Sequence, residues 1–205
     1  MKKNPKHIIA FIDIPDPDNY LLIVLLGMLF LRAKLFIVIT GRPAHPDPSK
    51  KIKTWEWDTA FSETVLKINS GRTKHLLEIF RMKARLFHGG IAPSTPVPHD
   101  MHFHEYYRLA DIDPVVALHN NHLESLNQLA KELLKLDDRS VAVVVGGPMT
   151  GLAQLINLNP EVSQKFSEVH AMFASWGKTK LASFDETPRG KKQFNVHCDP
   201  QAAFQ

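Results

Sequence analysis

The sequence predicts an α/β fold with a mostly parallel, helix-covered sheet. Two patterns predict it: short apolar runs alternate with longer segments of helical character, and the runs are almost continuously apolar. Continuous apolar runs are typical of strands buried on both faces, as in a parallel sheet. The 205 residues suffice for one such domain with a sizeable core, so residues 1–205 are predicted to form a single domain.

The first unit of this alternation contains an acidic connection. Residues 7–14 (HIIAFIDI) form an apolar run that predicts a buried strand. The prolines of the following IPDPD segment predict a loop, because proline continues neither a helix nor a strand. A helix is predicted to begin at Asp18 or Asn19, which both suit an N-cap, and to end near Arg32.

The rest of the chain continues the alternation. Further strands are predicted at residues 35–40, 84–88, 140–145 and 169–174. Helices are predicted at residues 55–69, 73–82, 122–136 and 150–157, with another beginning near Pro200. Gly71 is predicted to interrupt the second helical region, and residues 176–192 are predicted to be a polar loop. Residues 89–121 show no period, and a structureless stretch of that length is often functional.

In parallel sheets, ligands bind outside the carboxyl ends of the strands. We therefore expect one rim to be formed by residues 13–19, residues 40–42, the turn at 146–150 and the loop after residue 174.

Composition excludes several classes of protein. The net charge is +4, but the basic residues are scattered rather than clustered, which argues against nucleic-acid binding. Residues 20–31 are strongly apolar, yet they are too few for the roughly 20 that span a bilayer, so we predict a fully buried helix and no membrane association. The single cysteine, Cys198, allows no intrachain disulfide and is interpreted as a packing residue. With no signal peptide, this predicts a cytoplasmic location.

The acidic loop is the first candidate site. Asp13, Asp16, Asp18 and Asn19 lie within one short segment. Several oxygen ligands in one loop suit a hard cation, Ca²⁺ or Mg²⁺, and a carboxylate beside such a metal can deprotonate a bound water. The alternative is an acidic cap that stabilises the dipole of the following helix. The spacing leaves both interpretations open.

Two later segments also suit ligand binding. Residues 146–162 (GGPMTGLAQLINLNPEV) follow the clearest strand and open a helix, an arrangement that can present backbone groups to a ligand or form an ordinary tight turn. In residues 194–203 (FNVHCDPQAA), the amide of Asn195 can both donate and accept, which suits a vicinal diol. Asp199 and Pro200 predict a helix start there.

Together, these three segments resemble the inosine-uridine-preferring nucleoside hydrolase family in order and context. The family's DTDxGxDDAxA loop is matched by FIDIPDPDNYLLIVLL, its GPLTNLA segment by GGPMTGLA, and its EFNxxxDPEAA segment by QFNVHCDPQAA. The similarity runs from about residue 7 to the end of the chain and implies the sheet type of that family. It also implies that the family's C-terminal segment, with a final metal-binding aspartate and a neighbouring histidine, is absent.

The resemblance implies a role for each matching residue. Asp13 would be the catalytic residue that activates water. The implied Ca²⁺ ligands are Asp13, Asp18, Asn19 and the backbone carbonyl of Thr150. The implied substrate-binding residues are Asp18, Gln193 and Asn195. Asn19 and Gln193 replace family carboxylates, and residues 40–42 (TGR) stand near the position of a ribose-contacting asparagine.

The activity implied by the resemblance is cleavage of the N-glycosidic bond of ribonucleosides to ribose and free base. In this family, Ca²⁺ anchors the ribose and the attacking water, and the bond breaks through an oxocarbenium-like state. A ribonucleoside is the expected partner, and homo-oligomerisation stays open. The alternative is a catalytically degenerate or truncated domain that binds a ligand or a protein.

Two further interpretations concern the acidic loop and a histidine-rich segment. A receiver-like regulatory domain also has an acidic pocket after its first strand, but it needs an aspartate after a later central strand, where Gly146 and Gly147 stand here. In residues 99–105 (HDMHFHE), His102 and His104 suit a transition metal if the segment is a strand, and otherwise form a polar flap or surface loop.

Overall fold

A five-stranded, all-parallel sheet in the order β3-β2-β1-β4-β5 forms the centre of the computed structural model. The structure describes residues 5–14, 17–42, 59–93, 121–172, 185–187, 190–192 and 194–205. The five strands are β1 (His7–Ile12), β2 (Lys34–Gly41), β3 (Ala84–Ile91), β4 (Val141–Val145) and β5 (Phe166–Ala171).

Helices connect these strands, and a small hairpin lies near the end of the chain. The helices are α1 (Pro17–Leu29), α2 (Thr59–Ile79), α3 (His122–Leu133), α4 (Thr150–Leu158), α5 (Phe194–Cys198) and α6 (Pro200–Ala203). A 3₁₀ helix (Pro160–Lys165) precedes β5. The hairpin pairs β6 (Asp185–Thr187) with β7 (Gly190–Lys192) in antiparallel orientation.

Strands β1, β2 and β4 are buried on both faces, which explains why they are almost continuously apolar. On one face, Ile8, Ala10 and Ile12 of β1 pack with apolar residues of α1 and α2. On the other face, Ile9 and Phe11 pack with apolar residues of α3 and α4. Because successive side chains of a strand point to opposite faces, residues 8–12 of β1 must all be apolar to serve both cores.

The chain reverses direction across the sheet between β1 and β4. It proceeds from β1 to β2 and β3 on one side, and then returns to β4 and β5 on the other. The backbone N–H of Gly146, just after β4, donates to the carbonyl oxygen of Phe11 at 2.8 Å. In this architecture, ligands usually bind at such a switch point, outside the carboxyl ends of the strands.

The predicted fold class is confirmed: the main sheet is parallel and helices cover both of its faces. The predicted interruption at Gly71 is wrong, because α2 continues from Thr59 to Ile79. A helical glycine costs about 1 kcal/mol relative to alanine. Burial of Leu66 and Leu77, on either side of that glycine, stabilises the helix and outweighs this cost.

Three local predictions also need correction. Helix α1 is not fully buried: Ile23 and Leu26 face the sheet, whereas Leu29 is 67% exposed. Strand β3 extends beyond residue 88 because Gly90, with a φ of 80°, allows the backbone to continue through an irregular register. The polar loop predicted at residues 176–192 contains the β6–β7 hairpin.

Among the described residues, no helix has the length and apolar character needed to cross a membrane.

The two-faced core makes a direct prediction for helix α3. Leu129 is fully buried against the sheet, whereas Leu123 on the same helix is 41% exposed. Leu129→Ala should lower the free energy of unfolding by about 2–5 kcal/mol, because it removes buried apolar contacts and leaves a cavity. Leu123→Ala should change it by about 0.5 kcal/mol. Urea unfolding followed by circular dichroism measures both values, and equal losses would contradict the assigned packing.

Candidate active site at the carboxyl ends of β1, β2 and β4

A buried ion pair lies at the carboxyl ends of β1 and β2. Asp13 directly follows β1 and is 1% exposed. Its Oδ2 accepts from Nε of Arg42 at 2.8 Å and lies 2.6 Å from Nη2 of the same guanidinium. Arg42 follows β2, and its side chain is 10% exposed. Because β1 and β2 are parallel and in register, with Ile12 opposite Ile39, the residues after both strands meet at one rim.

Asn19, in the first turn of α1, holds the other oxygen of the same carboxylate. Its Nδ2 donates to Oδ1 of Asp13 at 2.8 Å and to the carbonyl oxygen of Asp13 at 3.2 Å. These two acceptors determine the orientation of the amide. The Oδ1 atom of Asn19 is buried and has no hydrogen-bond partner among the described residues. The amide therefore presents its donor side, not its oxygen, to Asp13.

The Gly146-Gly147 turn packs directly against this pair. A β-carbon on Gly147 would lie 2.8 Å from the backbone nitrogen of Asp13 and 2.9 Å from its Oδ1. A β-carbon on Gly146 would collide with Oδ1 of Asn19. Only glycine allows so close an approach, so these two glycines have a packing role at the site.

The third sequence segment also reaches this turn. Asn195 is buried and donates from Nδ2 to the carbonyl oxygen of Gly146 at 2.8 Å. It lies in the short helix α5. Buried Thr150 donates from Oγ1 to Oδ2 of Asp199 at 2.7 Å. The other carboxylate oxygen of Asp199 accepts from the backbone N–H of Ala202, so Asp199 caps α6 as predicted.

The predicted site residues are only partly brought together. Asp13, Asn19 and Asn195 surround the glycine turn, and Thr150 begins the helix that follows it. Asp18 is exposed, and its Oδ1 accepts from the backbone N–H of Asn19 at 3.0 Å. Asp16, Gln193 and the histidine segment 99–105 lie outside the described residues. The ribose-binding and catalytic roles stay predictions.

The described residues do not fit a Ca²⁺ ion in this arrangement. Ca²⁺ takes six to eight oxygen ligands, including carboxylates. The Asp13 carboxylate instead binds a guanidinium on one oxygen and an amide NH₂ on the other. Within the described ranges, no group of three or more His, Cys, Asp or Glu residues is placed to hold a metal. The Ca²⁺ site implied by the sequence resemblance stays an untested prediction.

Two residues that sequence reasoning did not assign contribute to the site. Arg42 lies on the predicted rim, but the sequence motifs predict no role for it. The signal in the sequence is that Arg42 and Asp13 each come just after a buried strand. If those two strands pair in parallel, the opposite charges lie at the same end of the sheet. Asn69 of α2 donates from Nδ2 to the carbonyl oxygen of Ile14 at 2.5 Å and so anchors the backbone just after Asp13. Asn69 lies 55 residues from Ile14 in sequence, so no sequence motif indicates this contact.

A second buried polar group lies at the carboxyl end of β3. Nε2 of His88 lies 3.1 Å from Oε2 of Glu63. Nδ1 of the same ring accepts a hydrogen bond from the backbone N–H of Gly90 at 3.0 Å. Burial lowers the pKa of His88, and the positive charge of Lys67 and the nearby His122 ring act in the same direction. The Glu63 carboxylate opposes this shift and raises the pKa. The ring is therefore neutral near pH 7 and donates from Nε2 to Glu63.

This histidine predicts a loss of stability in acid. Because the pKa of His88 is lowered below 6.5 in the folded protein, the unfolded chain binds more protons below that pH. The stabilisation is complete above about pH 6.5 and is lost as pH falls through the lowered pKa. His88→Gln should therefore flatten the fall in the free energy of unfolding between about pH 7 and pH 5.

The comparison variant is His7→Gln. Burial also lowers the pKa of His7, which lies at the opposite end of the sheet, so this variant should remove a second, separate part of the pH dependence. Chemical unfolding at several pH values separates the two contributions. A pH dependence unchanged by His88→Gln would show that the buried ring is not the titrating group.

Comparisons with known proteins agree with this architecture. No protein-family model matches the chain. A segment of 76 residues is 34% identical to the pyrimidine-specific ribonucleoside hydrolase RihA of Enterobacter sp. (strain 638). The matched segment covers 37% of this chain and 22% of that relative. The similarity in sequence is therefore partial.

Solved structures match nearly the whole chain in fold. An inosine-uridine preferring nucleoside hydrolase from Bacillus anthracis matches with a TM-score of 0.59 and 18% identity, covering 96% of this chain and 59% of that one. The plant nucleoside hydrolase PpNRh1 matches with a TM-score of 0.57 and 16% identity, covering 98% and 56%. An inosine-guanosine nucleoside hydrolase matches with a TM-score of 0.55 and 18% identity, covering 96% and 56%.

The chain thus spans little more than half the length of these structures. At such low identities, the structural matches show the fold, while the partial sequence match adds a ribonucleoside hydrolase as a relative. In fold, and over 76 residues in sequence, the chain resembles the nucleoside hydrolases, as its three motifs predicted.

Proposed function

We propose that this chain hydrolyses the N-glycosidic bond of ribonucleosides at the rim formed by the carboxyl ends of β1, β2 and β4. The observation that carries the proposal is the buried Asp13 carboxylate at the switch point of the sheet, held by Asn19 and Arg42. Burying a charged side chain costs free energy that an apolar side chain would not cost. A buried aspartate at the switch point of the sheet therefore favours a functional role.

The chemistry requires a proton acceptor and groups that bind the sugar. Asp13 accepts a proton from the attacking water, whose oxygen bonds to C1′ of the ribose while the bond to the base breaks. The base leaves with the electron pair of that bond and takes up a proton from solvent, and Asp13 later returns its proton to solvent. Positive charge develops on the sugar ring in an oxocarbenium-like state. Asn195 and the exposed Asp18 offer an amide and a carboxylate for hydrogen bonds to the ribose hydroxyls. None of these steps is assigned to a metal ion.

The partial match to a pyrimidine-specific ribonucleoside hydrolase supports ribonucleosides as the substrate class. The structural neighbours carry the names of inosine-uridine and inosine-guanosine enzymes, so the class extends to purine and pyrimidine nucleosides. We propose no choice of base for this chain. A cytoplasmic location without nucleic-acid or membrane partners, a role in nucleoside salvage and an open oligomeric state belong to the same proposal.

A second candidate is ligand binding without turnover. The Asp13–Arg42 ion pair favours it, because a carboxylate that already binds a guanidinium is a weaker proton acceptor than one without a cationic partner. In that case the rim would hold a nucleoside or ribose but release no free base. Binding and turnover are separable measurements, so the two candidates give different results.

The proposal predicts a large effect of one isosteric change. Asp13→Asn should lower the rate of ribose release from inosine or uridine by about 10²-fold or more, because the amide cannot accept the proton of water. A reducing-sugar assay on the purified chain measures this rate. Circular dichroism checks that the variant is folded.

The matched control is Asp138→Asn, which removes an exposed carboxylate paired with Lys165. Asp138 precedes β4, whereas the site lies at the carboxyl end of that strand. It should leave ribose release unchanged. Equal activity of the Asp13→Asn variant and this control would disprove the assigned base. Nucleoside binding without ribose release from the unmodified chain would establish the second candidate instead.

A further inference from the structure

We infer that the guanidinium of Arg42 is the cation of this site, so that the rim binds ribose without a divalent metal. The ligand in this statement rests on the proposed function, whereas the charge compensation itself depends only on the buried pair.

The geometry places a full positive charge where a metal would have to bind. Nε and Nη2 of Arg42 both approach Oδ2 of Asp13, at 2.8 and 2.6 Å. Both side chains are almost completely removed from solvent. With the guanidinium in place the pair is neutral, so a divalent ion on the same carboxylate would add two uncompensated charges beside Arg42. Such like-charge contacts are strongly unfavourable at a buried position.

The other described carboxylates near the rim have different partners. Asp18 is exposed and accepts from the backbone N–H of Asn19. Asp199 accepts from the Thr150 hydroxyl and from the backbone N–H of Ala202. Residue 19, next to Asp18, is an uncharged asparagine and adds no further carboxylate. Two described carboxylates near the rim, Asp13 and Asp199, are thus buried. Asp199 is held by a hydroxyl and a backbone N–H, whereas Asp13 is paired with the Arg42 guanidinium.

The space around Asp13 also excludes a metal from its second oxygen. Nδ2 of Asn19 lies 2.8 Å from Oδ1. The backbone of Gly147 approaches so closely that a β-carbon there would lie 2.9 Å from the same oxygen. A cation on Oδ1 would have to displace the Asn19 amide, which is itself buried. Both carboxylate oxygens are thus engaged by donors that the chain supplies.

This arrangement changes how a sugar would be recognised. A metal ion binds vicinal hydroxyls by direct coordination, whereas guanidinium and amide groups bind them by donating hydrogen bonds. Recognition through Arg42 requires no added cation. The site should then be insensitive to chelators, and calcium alone should not stabilise the fold.

Thermal unfolding of the full chain tests the charge compensation without any substrate. The melting temperature of the unmodified chain should be the same in millimolar CaCl₂ and in EDTA. Arg42→Gln should lower it by on the order of 10 °C, because the Asp13 charge is left buried without its cation. The control is Arg85→Gln, which removes an arginine whose partner is Glu132 and whose side chain is 47% exposed, and which should have little effect.

Three outcomes would overturn the inference. One is a saturable rise in the melting temperature of the unmodified chain with CaCl₂. Another is an Arg42→Gln variant as stable as the Arg85→Gln control. If Arg42→Gln does not fold, the Asp13→Asn/Arg42→Gln double variant, which removes both charges of the pair, should recover folding. Failure of that double variant to fold would show that Arg42 acts through packing and not through its charge.

A ribose titration separates this inference from the proposed function. Isothermal titration with ribose and with inosine, in EDTA and in CaCl₂, should show the same binding in both buffers. Binding only in CaCl₂ would overturn the role of Arg42 and leave the proposed function intact. Binding in neither buffer would contradict the proposed function, whereas the melting temperatures would still decide the charge compensation.

Discussion

The parallel pairing of β1 between β2 and β4 is the constraint on which the rest of the structure depends. The side chains of β1 are needed by both cores, so the strand is apolar on both faces and cannot shift register without exposing them. With the register set, Asp13, Arg42 and Gly146 follow their strands at the same end of the sheet. The polar residues of three distant segments then form one rim.

At that rim, the cost of burying a carboxylate determines the positions of its neighbours. Asp13 is stable in the interior because donors reach both of its oxygens: a guanidinium from the β2 side and an amide from α1. The glycine turn after β4 allows these groups to stay close to the backbone. The same contacts that stabilise the buried charge also limit what else can bind it, which links the stability of the fold to the chemistry of the site.

The sheet could be predicted from the sequence because buried parallel strands are continuously apolar, as in residues 7–12 and 141–145. Gly71 misled because its local helix-breaking tendency is weaker than the burial of the helix around it. Asp13, Asn19 and Asn195 were recognised as site residues because they lie in family-like motifs. Arg42 and Asn69 were not, since their roles arise from contacts 29 and 55 residues distant from the loop in sequence, which only the folded topology creates.

The central claim is that ribose binds at this rim beside an Asp13–Arg42 pair that needs no metal. A crystal structure of the chain grown with CaCl₂ and soaked with ribose tests it most directly, because it locates the sugar and any cation together. The account predicts ribose hydroxyls within hydrogen-bond distance of the rim residues, the Asp13–Arg42 pair intact and no calcium density on Asp13. A calcium ion coordinated by Asp13, with Arg42 displaced from the carboxylate, would contradict it.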